Sequence, residues 1–528
     1  MSMFVIENNI IKTEEINFDC DALGGVGNVI FNYMKKHGQK VAQIDAATDR
    51  SETFESLLQR SIRAAIVLRK RGAIPCSLDP SLSFFEINEL IRQVKPKLMF
   101  TIPESLRDVK AALKNAELNT EIVVFGPSSN HTEFSHFTEP QDEEMEFKPI
   151  TINSSAETAI IIFSSGTSGF PKGICLNHNY FIFHSPLIPR AKNNHLDKER
   201  MAFEMSKREG LISFLNYGSM YWSSAAIGLF LSAVSGVCRL LCNNFDPKGF
   251  WYLIEKYNVK LVKSGKPDDV NTSSLVRLSI GGAALSKKYA FALQELLPDT
   301  DIIPTYAQTE VGILAAFQIH NKVHREYYKK NPETVGVPVP GVWYKVVDPE
   351  TGNILGANEA GELRVKSKTI MNGYYNRDYS NRYDEDGWFR TGDVVKYDEN
   401  GYFYIVDRLK EMLKYRGWHI PPAILELELS HHPAVKQAVV IGKPHEEDGD
   451  HLMAVIVLEE DANDVTAKDI EKYIEERLQD KQRLRGGVKF VHSIPLTPSG
   501  KIKRRDKILI IGLNKEIVKS ISDFDWIR

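Results

Sequence analysis

Ser164-Ser165-Gly166-Thr167-Ser168-Gly169-Phe170-Pro171-Lys172-Gly173 is the segment of this 528-residue chain whose residue types and spacing carry the most chemistry. Its three glycines allow tight backbone geometry and close approach of a ligand. Successive backbone N–H groups and four hydroxyls can surround anionic oxygens, and Lys172 adds a positive charge. The segment is not a Walker loop, because no Gly-Lys-Ser/Thr closes it and the glycine spacing differs. A phosphate cradle is the reading that its chemistry favours; a solvent-exposed Ser/Gly turn is the alternative. The histidines show no trio with catalytic or metal spacing. His431-His432 before Pro433 reads as a surface helix end, and His178 and His184 read as structural. Cys238 and Cys242 are four apart and could share a helix face. With no third ligand near, core packing is favoured over metal binding.

Positioning such a loop requires a layered scaffold. Thr158 to Phe163 reads as a strand running directly into it. Upstream, Ile87, Leu90, Ile91 and Val94 fall at i, i+3, i+4, i+7, which predicts a helix over Glu86 to Val94. Lys97 to Phe100 and Ile122 to Phe125 read as short buried strands, so helix and strand alternate as in an α/β layer with a partly parallel sheet. Ala225 to Cys238 reads as a buried helix, too short and too interrupted by Ser and Gly to span a bilayer. From Asp348 to Tyr404 the composition shifts to Gly, Asn, Asp and Tyr with short alternating runs, which predicts antiparallel strands and turns. Beyond Asp407 lies a small α+β unit. Ala438 to Ile441, Met453 to Leu458 and Val488 to Val491 read as its strands. Thr466 with Asp469 opens a helix whose buried face is Ile470, Ile474 and Leu478.

Composition bounds the class. Hydrophobic residues are 43% and charged residues 26%, ordinary for a globular protein and unlike disordered or fibrous chains. Sixty-six basic residues against 69 acidic give a net charge of −3, no footprint for nucleic acid. Five scattered cysteines without a CxxC pair argue against a disulfide framework and for a reducing compartment. The N-terminal residues lack the pattern of a secretory signal, and the C-terminal Asp-Trp-Ile-Arg is not a Ser-Lys-Leu signal. A cytoplasmic location is therefore preferred over a peroxisomal one.

Six motifs in order carry a resemblance. The loop at 164–173 resembles the signature of the adenylate-forming superfamily, which includes acyl-CoA synthetases, 4-coumarate–CoA ligases and beetle luciferases. Gly281-Gly282-Ala283-Ala284-Leu285-Ser286 resembles its Gly-Gly-Ala-Pro-Leu-Ser turn, and Tyr306-Ala307-Gln308-Thr309-Glu310 its Tyr-Gly-x-Thr-Glu. Asp386 to Asp393 is similar to its aspartate motif, Asp407 to Glu411 to its hinge, and Pro498-Ser499-Gly500-Lys501 to its terminal lysine motif. The likeness covers about residues 30 to 510. It implies a large N-terminal AMP-binding domain of layered α/β subdomains plus a β-rich subdomain (residues 1–406), and a small mobile α+β lid (residues 407–528).

The resemblance also implies a reaction and its players. A carboxylate attacks the α-phosphorus of ATP to give acyl-adenylate and pyrophosphate, and a thiol, usually coenzyme A, then displaces AMP. Positioning and charge neutralisation do most of that work. Lys501 bridges carboxylate and α-phosphate, although a solvated place in the basic run Lys501 to Arg505 is the plain alternative. Glu310 holds Mg²⁺, Thr309 contacts the α-phosphate, and Tyr306 stacks on adenine unless it is a core aromatic. Ser164, Ser165, Gly166, Thr167, Ser168, Gly169 and Lys172 cradle the phosphates, and Gly281, Gly282 and Ala283 complete the nucleotide site. Asp393 accepts from the ribose hydroxyls with Arg408 in support. Lys414 and Arg416-Gly417-Trp418 face a thiol channel or are a solvated charged face. ATP, Mg²⁺ and coenzyme A are the implied cofactors and a fatty or aromatic acid the implied substrate. A luciferase-like adenylating enzyme and a catalytically impaired nucleotide binder are the alternatives.

Some positions depart from the pattern. Trp222 stands where many members carry a histidine, Ala307 replaces a glycine, and Ile424 replaces a glutamate. Arg71-Gly72 is followed at once by Ala73-Ile74-Pro75, so a strand–helix unit is expected to be missing from the first subdomain. Val262 to Lys266 replaces a Pro-containing helix, which in relatives walls the acyl pocket. Lost core elements leave apolar faces to be covered or exposed at a cost, and with them activity itself is in question.

Overall fold

The computed structural model describes residues 4–16, 19–69, 74–78, 82, 84–164, 172–184, 213–215, 221–242, 253, 256, 275, 277–282, 287–298, 300–317, 322–462 and 464–495. Strands and helices alternate through the first half as the patterning requires. The apolar run Thr158–Phe163 is a strand, antiparallel to Gly173–Asn177 and parallel to the two-residue Cys76–Ser77. Leu98–Thr101, Glu121–Val124 and Thr132–Glu133 form a parallel three-stranded sheet against the helix Phe84–Val94, which buries Ile87, Leu90 and Ile91. The strand Arg277–Gly281 lies parallel to Asp301–Gln308, which turns back antiparallel into Gly312–Ala316.

The β-rich layer is a six-stranded antiparallel sheet. Its order is Phe4–Glu7, Ile10–Thr13, Val342–Val347, Gly361–Ser367, Phe389–Tyr397 and Phe403–Arg408. Its buried residues, among them Ile11, Tyr344, Val346, Leu363, Val365, Phe389 and Phe403, join Ile162, Ile174, Phe230 and Tyr306 in one core cluster. That shared core fixes the anion-loop strand and the Tyr306 strand relative to the sheet that carries Asp393. The small C-terminal unit is a five-stranded sheet of Leu413–Tyr415, Trp418–Ile420, Val435–His445, Gly449–Leu458 and Gly487–Phe490. Helices Pro422–Ser430 and Ala467–Glu475 pack on it, and its own cluster includes Leu425, Leu429, Val440, Ile456, Ile470 and Ile474. Thr466 and Asp469 form the expected reciprocal capping box.

Two expectations change in detail. The apolar helix runs Ser223–Ser235 and stops where Gly236 adopts a left-handed cap, so Cys238 opens the strand Cys238–Leu241 instead of ending the helix. Cys238 and Cys242 therefore do not share a helix face; four residues of extended chain span about 13 Å, too far for one metal ion. All five cysteines are free. As expected from Arg71 to Pro75, the helix Phe54–Arg69 is followed by Cys76–Ser77, and the intervening six positions are too few for a strand–helix unit. Flanking this short edge strand, Ile74 and Phe85 are 50% and 64% exposed. The replaced segment at 262–266 lies outside the described residues. Among the described residues no helix is long and apolar enough to cross a membrane.

Candidate active site

Three strands converge on a buried carboxylate. Asp393 sits mid-strand in register with Arg408 on the neighbouring strand, and both side chains lie on the same face of that pair. Arg408 Nε is 2.9 Å from Asp393 Oδ1. The Tyr306 hydroxyl donates to Asp393 Oδ2 at 2.6 Å, and the Gln308 amide donates to the same oxygen at 3.0 Å and to the Thr391 carbonyl at 2.8 Å. The carboxylate is 3% exposed. Burial pushes its pKa above the ordinary value, and Arg408 and the Tyr306 hydroxyl pull it back. A carboxylate offers about four lone-pair positions, so these contacts leave room for about one more donor unless Tyr306 or Gln308 yields its place. The Tyr306 ring is buried in the main core cluster, and burial followed by the neighbouring Asp393 charge keeps its hydroxyl protonated.

The second half of the site is built on Glu310. It follows the Asp301–Gln308 strand in a tight turn, and its backbone carbonyl accepts from Met371 N–H at 2.8 Å. Its carboxylate Oε1 accepts from the Tyr374 hydroxyl at 3.0 Å. Among the described residues no hydrogen bond falls on Oε2. A half-buried carboxylate with one oxygen fixed and one open suits Mg²⁺, which takes one or two carboxylates and fills its octahedron with water and phosphate oxygens. Thr309 Oγ1 lies 3.4 Å from Ser223 Oγ, at the start of the buried helix.

The anion loop is pinned at both ends. Ser164 N–H donates to the Lys172 carbonyl at 2.9 Å and Lys172 N–H to Ser164 Oγ at 3.0 Å. The Tyr221 hydroxyl donates to the Ser164 carbonyl at 3.2 Å, and Gly173 N–H to Gln93 Oε1 at 3.0 Å. Lys172 Nζ lies 5.0 Å from the Tyr374 ring centre. Tyr374 thus links the loop's lysine, through its ring face, to the Glu310 carboxylate, through its hydroxyl. Gly281 ends its strand where a Cβ would meet the Thr305 carbonyl oxygen at 3.0 Å, so close strand approach explains the glycine; Gly282 follows with φ +88°.

The structure therefore brings together Ser164, Lys172, Tyr306, Thr309, Glu310, Asp393 and Arg408 on a connected set of contacts, with Gly281 and Gly282 at the end of the adjoining strand. Ser165, Gly166, Thr167, Ser168, Gly169, Ala283 and Lys501 lie outside the described residues. Lys414 belongs to the five-stranded sheet, exposed, with its backbone N–H donating to Asp450 Oδ2 at 3.0 Å. Ala307 occupies a bulge position and is exposed, so its methyl group points away from the packed core. Trp222 precedes the buried helix and meets Tyr221 edge-on at 5.0 Å.

Sequence reasoning missed Tyr374 and the role of Gln308. Tyr374 is 64 residues from Glu310 and follows a glycine turn that carries no marker of a carboxylate partner. The two singled-out histidines are structural. His178 Nδ1 accepts from Val26 N–H at 3.2 Å, and His184 Nε2 accepts from Ile313 N–H at 2.9 Å. The histidine spacing gave no sign that the chain folds two histidines and an aspartate, His445, Asp448 and His451, together within 4.8 Å.

The match to known sequences decides the family. The model for AMP-binding enzymes matches residues 68–375, more than half of the chain, and the model for their C-terminal domain matches residues 425–501. The chain belongs to the AMP-binding enzyme family. It is 31% identical over 454 residues to 4-coumarate–CoA ligase 1 of Petroselinum crispum, covering 83% of this chain and 79% of that protein. It is 27% identical over 515 residues to luciferin 4-monooxygenase of Photuris pensylvanica, covering 88% and 91%. Among solved structures, the luciferase-like enzyme from the nonluminescent Zophobas morio mealworm aligns with a TM-score of 0.66 at 30% identity, covering 76% of this chain and 99% of that one. As an AMP-binding enzyme the chain is a member of the ATP-dependent, adenylate-forming ligase group.

Proposed function

We propose that this AMP-binding enzyme activates a fatty or aromatic carboxylic acid with ATP and passes the acyl group to coenzyme A. One observation carries the reading. The Asp393 knot and the Glu310–Tyr374–Lys172 chain adjoin along one strand and turn, through Tyr306 and Gln308 on one side and Glu310 on the other, as a nucleotide with its ribose at one end and its phosphates at the other requires. Asp393 and Arg408 receive the ribose, Lys172 and the pinned loop hold the phosphates, and Glu310 takes the cation. Mg²⁺ bound there supplies charge neutralisation on the phosphates. Attack of a substrate carboxylate oxygen on the α-phosphorus then forms the acyl–phosphate bond and breaks the bond to pyrophosphate, with no protein nucleophile required. In the second half the coenzyme A sulfur forms the thioester as the bond from acyl carbon to AMP oxygen breaks.

We further propose that residues 407–528 act as a lid turning at Asp407. Asp407 supports this, since it is the penultimate residue of the last strand of the six-stranded sheet while its Oδ2 accepts from Ala423 N–H at 3.0 Å, at the start of the Pro422–Ser430 helix. A few residues at such a junction can absorb a domain rotation. Carboxylate-dependent pyrophosphate release with a panel of acids, with and without coenzyme A, tests the whole reading. Release with thioester formation supports it. Release without thioester supports an adenylate-only enzyme of the luciferase-like kind, and ATP binding without release overturns it in favour of a nucleotide binder.

Tyr374→Phe tests the link between loop and metal acid. A hydrogen bond to an ionised acceptor is worth about 1.5–3 kcal/mol, so pyrophosphate release should fall about tenfold. Half-saturation by Mg²⁺ should rise, while the denaturation midpoint stays close to that of the parent. An unchanged Mg²⁺ dependence would remove Glu310 from the metal role.

A further inference from the structure

The small domain carries a second cluster that the nucleotide chemistry does not use. His445 ends the long strand Val435–His445, and Gly449 opens the return strand Gly449–Leu458, with the two residues paired in register. Three residues, Glu446, Glu447 and Asp448, make the connection. Gly449 at φ +86° closes it, the conformation a three-residue hairpin loop requires. This turn swings Asp448 back beside the two stacked imidazoles. His451 Nε2 is 2.8 Å and His445 Nδ1 3.6 Å from Asp448 Oδ2, and the rings stack at 3.9 Å with 14° between planes.

The three donor atoms lie within 4.8 Å of one another, and the stacked rings must turn apart for both imidazole lone pairs to reach one ion. Asp448 N–H donates to His445 Nδ1 at 3.3 Å, so that nitrogen is unprotonated, and an ion bound there must displace this long contact. The other carboxylate oxygen, Oδ1, is held by Arg416 Nε at 2.6 Å, which fixes the carboxylate plane and leaves Oδ2 as the shared vertex. Around a tetrahedral ion with bonds of 2.0–2.2 Å, ligand atoms stand about 3.4 Å apart. The observed separations of 2.8 and 3.6 Å straddle that value, and all the donor atoms lie within 4.8 Å. Imidazole, imidazole and carboxylate suit the later first-row divalent ions better than Mg²⁺ or Ca²⁺, which prefer oxygen alone.

We propose that His445, Asp448 and His451 form a three-ligand site for a divalent transition-metal ion of the zinc type, with a fourth position open to water. A bound ion would clamp the Val435–Leu458 hairpin to the Arg416-Gly417 turn through Asp448. That turn belongs to the Leu413–Ile420 hairpin beside the expected thiol face, so the ion would stiffen a surface distinct from the nucleotide site.

The test uses the full chain freed of metal by a chelator. Cobalt(II) is titrated as a coloured probe, then displaced by zinc. The expected result is one equivalent of cobalt with a visible d–d band, and affinity at least ~100-fold weaker in a His445→Ala/His451→Ala double variant. Asp448→Asn should show a loss in the same direction. Both histidines lie at the surface of a hairpin, and equal denaturation midpoints without metal would confirm that the variants fold. A His431→Ala/His432→Ala variant should bind as the parent does. No cobalt band in the parent, a loss under about tenfold in the double variant, or an equal loss in the His431/His432 control overturns the site.

Discussion

Asp393→Asn is expected to lower ATP-dependent pyrophosphate release by about tenfold, with most of the loss in the KM for ATP, while stability changes by no more than about 1 kcal/mol. The two effects separate because they have different sources. Binding a ribose hydroxyl by an ionised acceptor is worth about 1.5–3 kcal/mol per bond, and the neutral amide forfeits the charge-assisted part. The same charge is a burden to the fold. Burial raises the Asp393 pKa above its ordinary 3.8 despite Arg408 and the Tyr306 hydroxyl, so the ionised form is disfavoured in the folded state relative to the unfolded one. A carboxyl raised in this way stabilises most at pH below its unfolded value, and that contribution is lost as pH climbs through the folded value. The stability of Asp393→Asn relative to the parent should therefore improve between pH 4 and pH 7, measured by denaturant midpoints across that range. Asn Oδ1 can still accept from Tyr306 and Gln308, while its amide nitrogen gives up the pair with Arg408, whose part-exposed guanidinium water can solvate instead. A variant that loses activity only in proportion to a fall in stability would show Asp393 to be a structural residue rather than a nucleotide contact.

Much of the scaffold is legible in the sequence because its signals are local. The strand Thr158–Phe163 follows from six consecutive apolar or β-branched positions ahead of a Ser/Gly run. The helix Phe84–Val94 starts two residues earlier than the periodicity suggests, and its buried face of Ile87, Leu90 and Ile91 is the one the spacing names. The Thr466–Asp469 box is a contact between residues three apart and shows in any sequence that contains it. Pairings across long stretches of chain leave no such trace. The hairpin Phe4–Thr13 joins the six-stranded sheet by setting Ile10 against Lys345 and Lys12 against Trp343, and nothing near residue 10 announces a partner more than 300 residues away.

The site divides along the same line. Motif order alone singles out Glu310, Asp393 and Arg408. What joins them, Tyr374 to Glu310 and Gln308 to Asp393, depends on tertiary geometry. The histidine cluster is hidden for a further reason. At spacings of three along an extended chain, His445, Asp448 and His451 would alternate between faces and spread apart by about 10 Å per step. Only the three-residue turn closed by Gly449 reverses the chain and superimposes them. Cys238 and Cys242 fail in the opposite direction, because a spacing of four suggests proximity only if the segment is helical, and Gly236 ends the helix two residues too soon.

Lys501→Ala is expected to cut carboxylate-dependent pyrophosphate release by about 1,000-fold while leaving thioester formation from supplied acyl-adenylate close to the parent rate. The asymmetry follows from where charge develops. In adenylation a carboxylate and a triphosphate, both anionic, are forced together at the α-phosphorus, and a single ammonium placed between them stabilises the transition state more than the separated reactants. In thiolysis the anionic oxygen leaves with AMP, the triphosphate is gone, and the same ammonium has less to offset. Removing one preorganised charge of this kind costs about 3–4 kcal/mol, which sets the expected size of the effect. The loss should fall on kcat with little change in the KM for ATP, since ground-state binding is shared with Lys172 and the pinned loop. Lys501→Arg should recover little, because a planar guanidinium does not replace a compact ammonium at a tetrahedral centre. Lys503→Ala supplies the comparison within the same basic run, and it should leave both half-reactions near the parent. Equal losses in adenylation and thiolysis for Lys501→Ala, or an equal loss in Lys503→Ala, would return Lys501 to the solvated basic face and remove the charge on which the proposed lid depends.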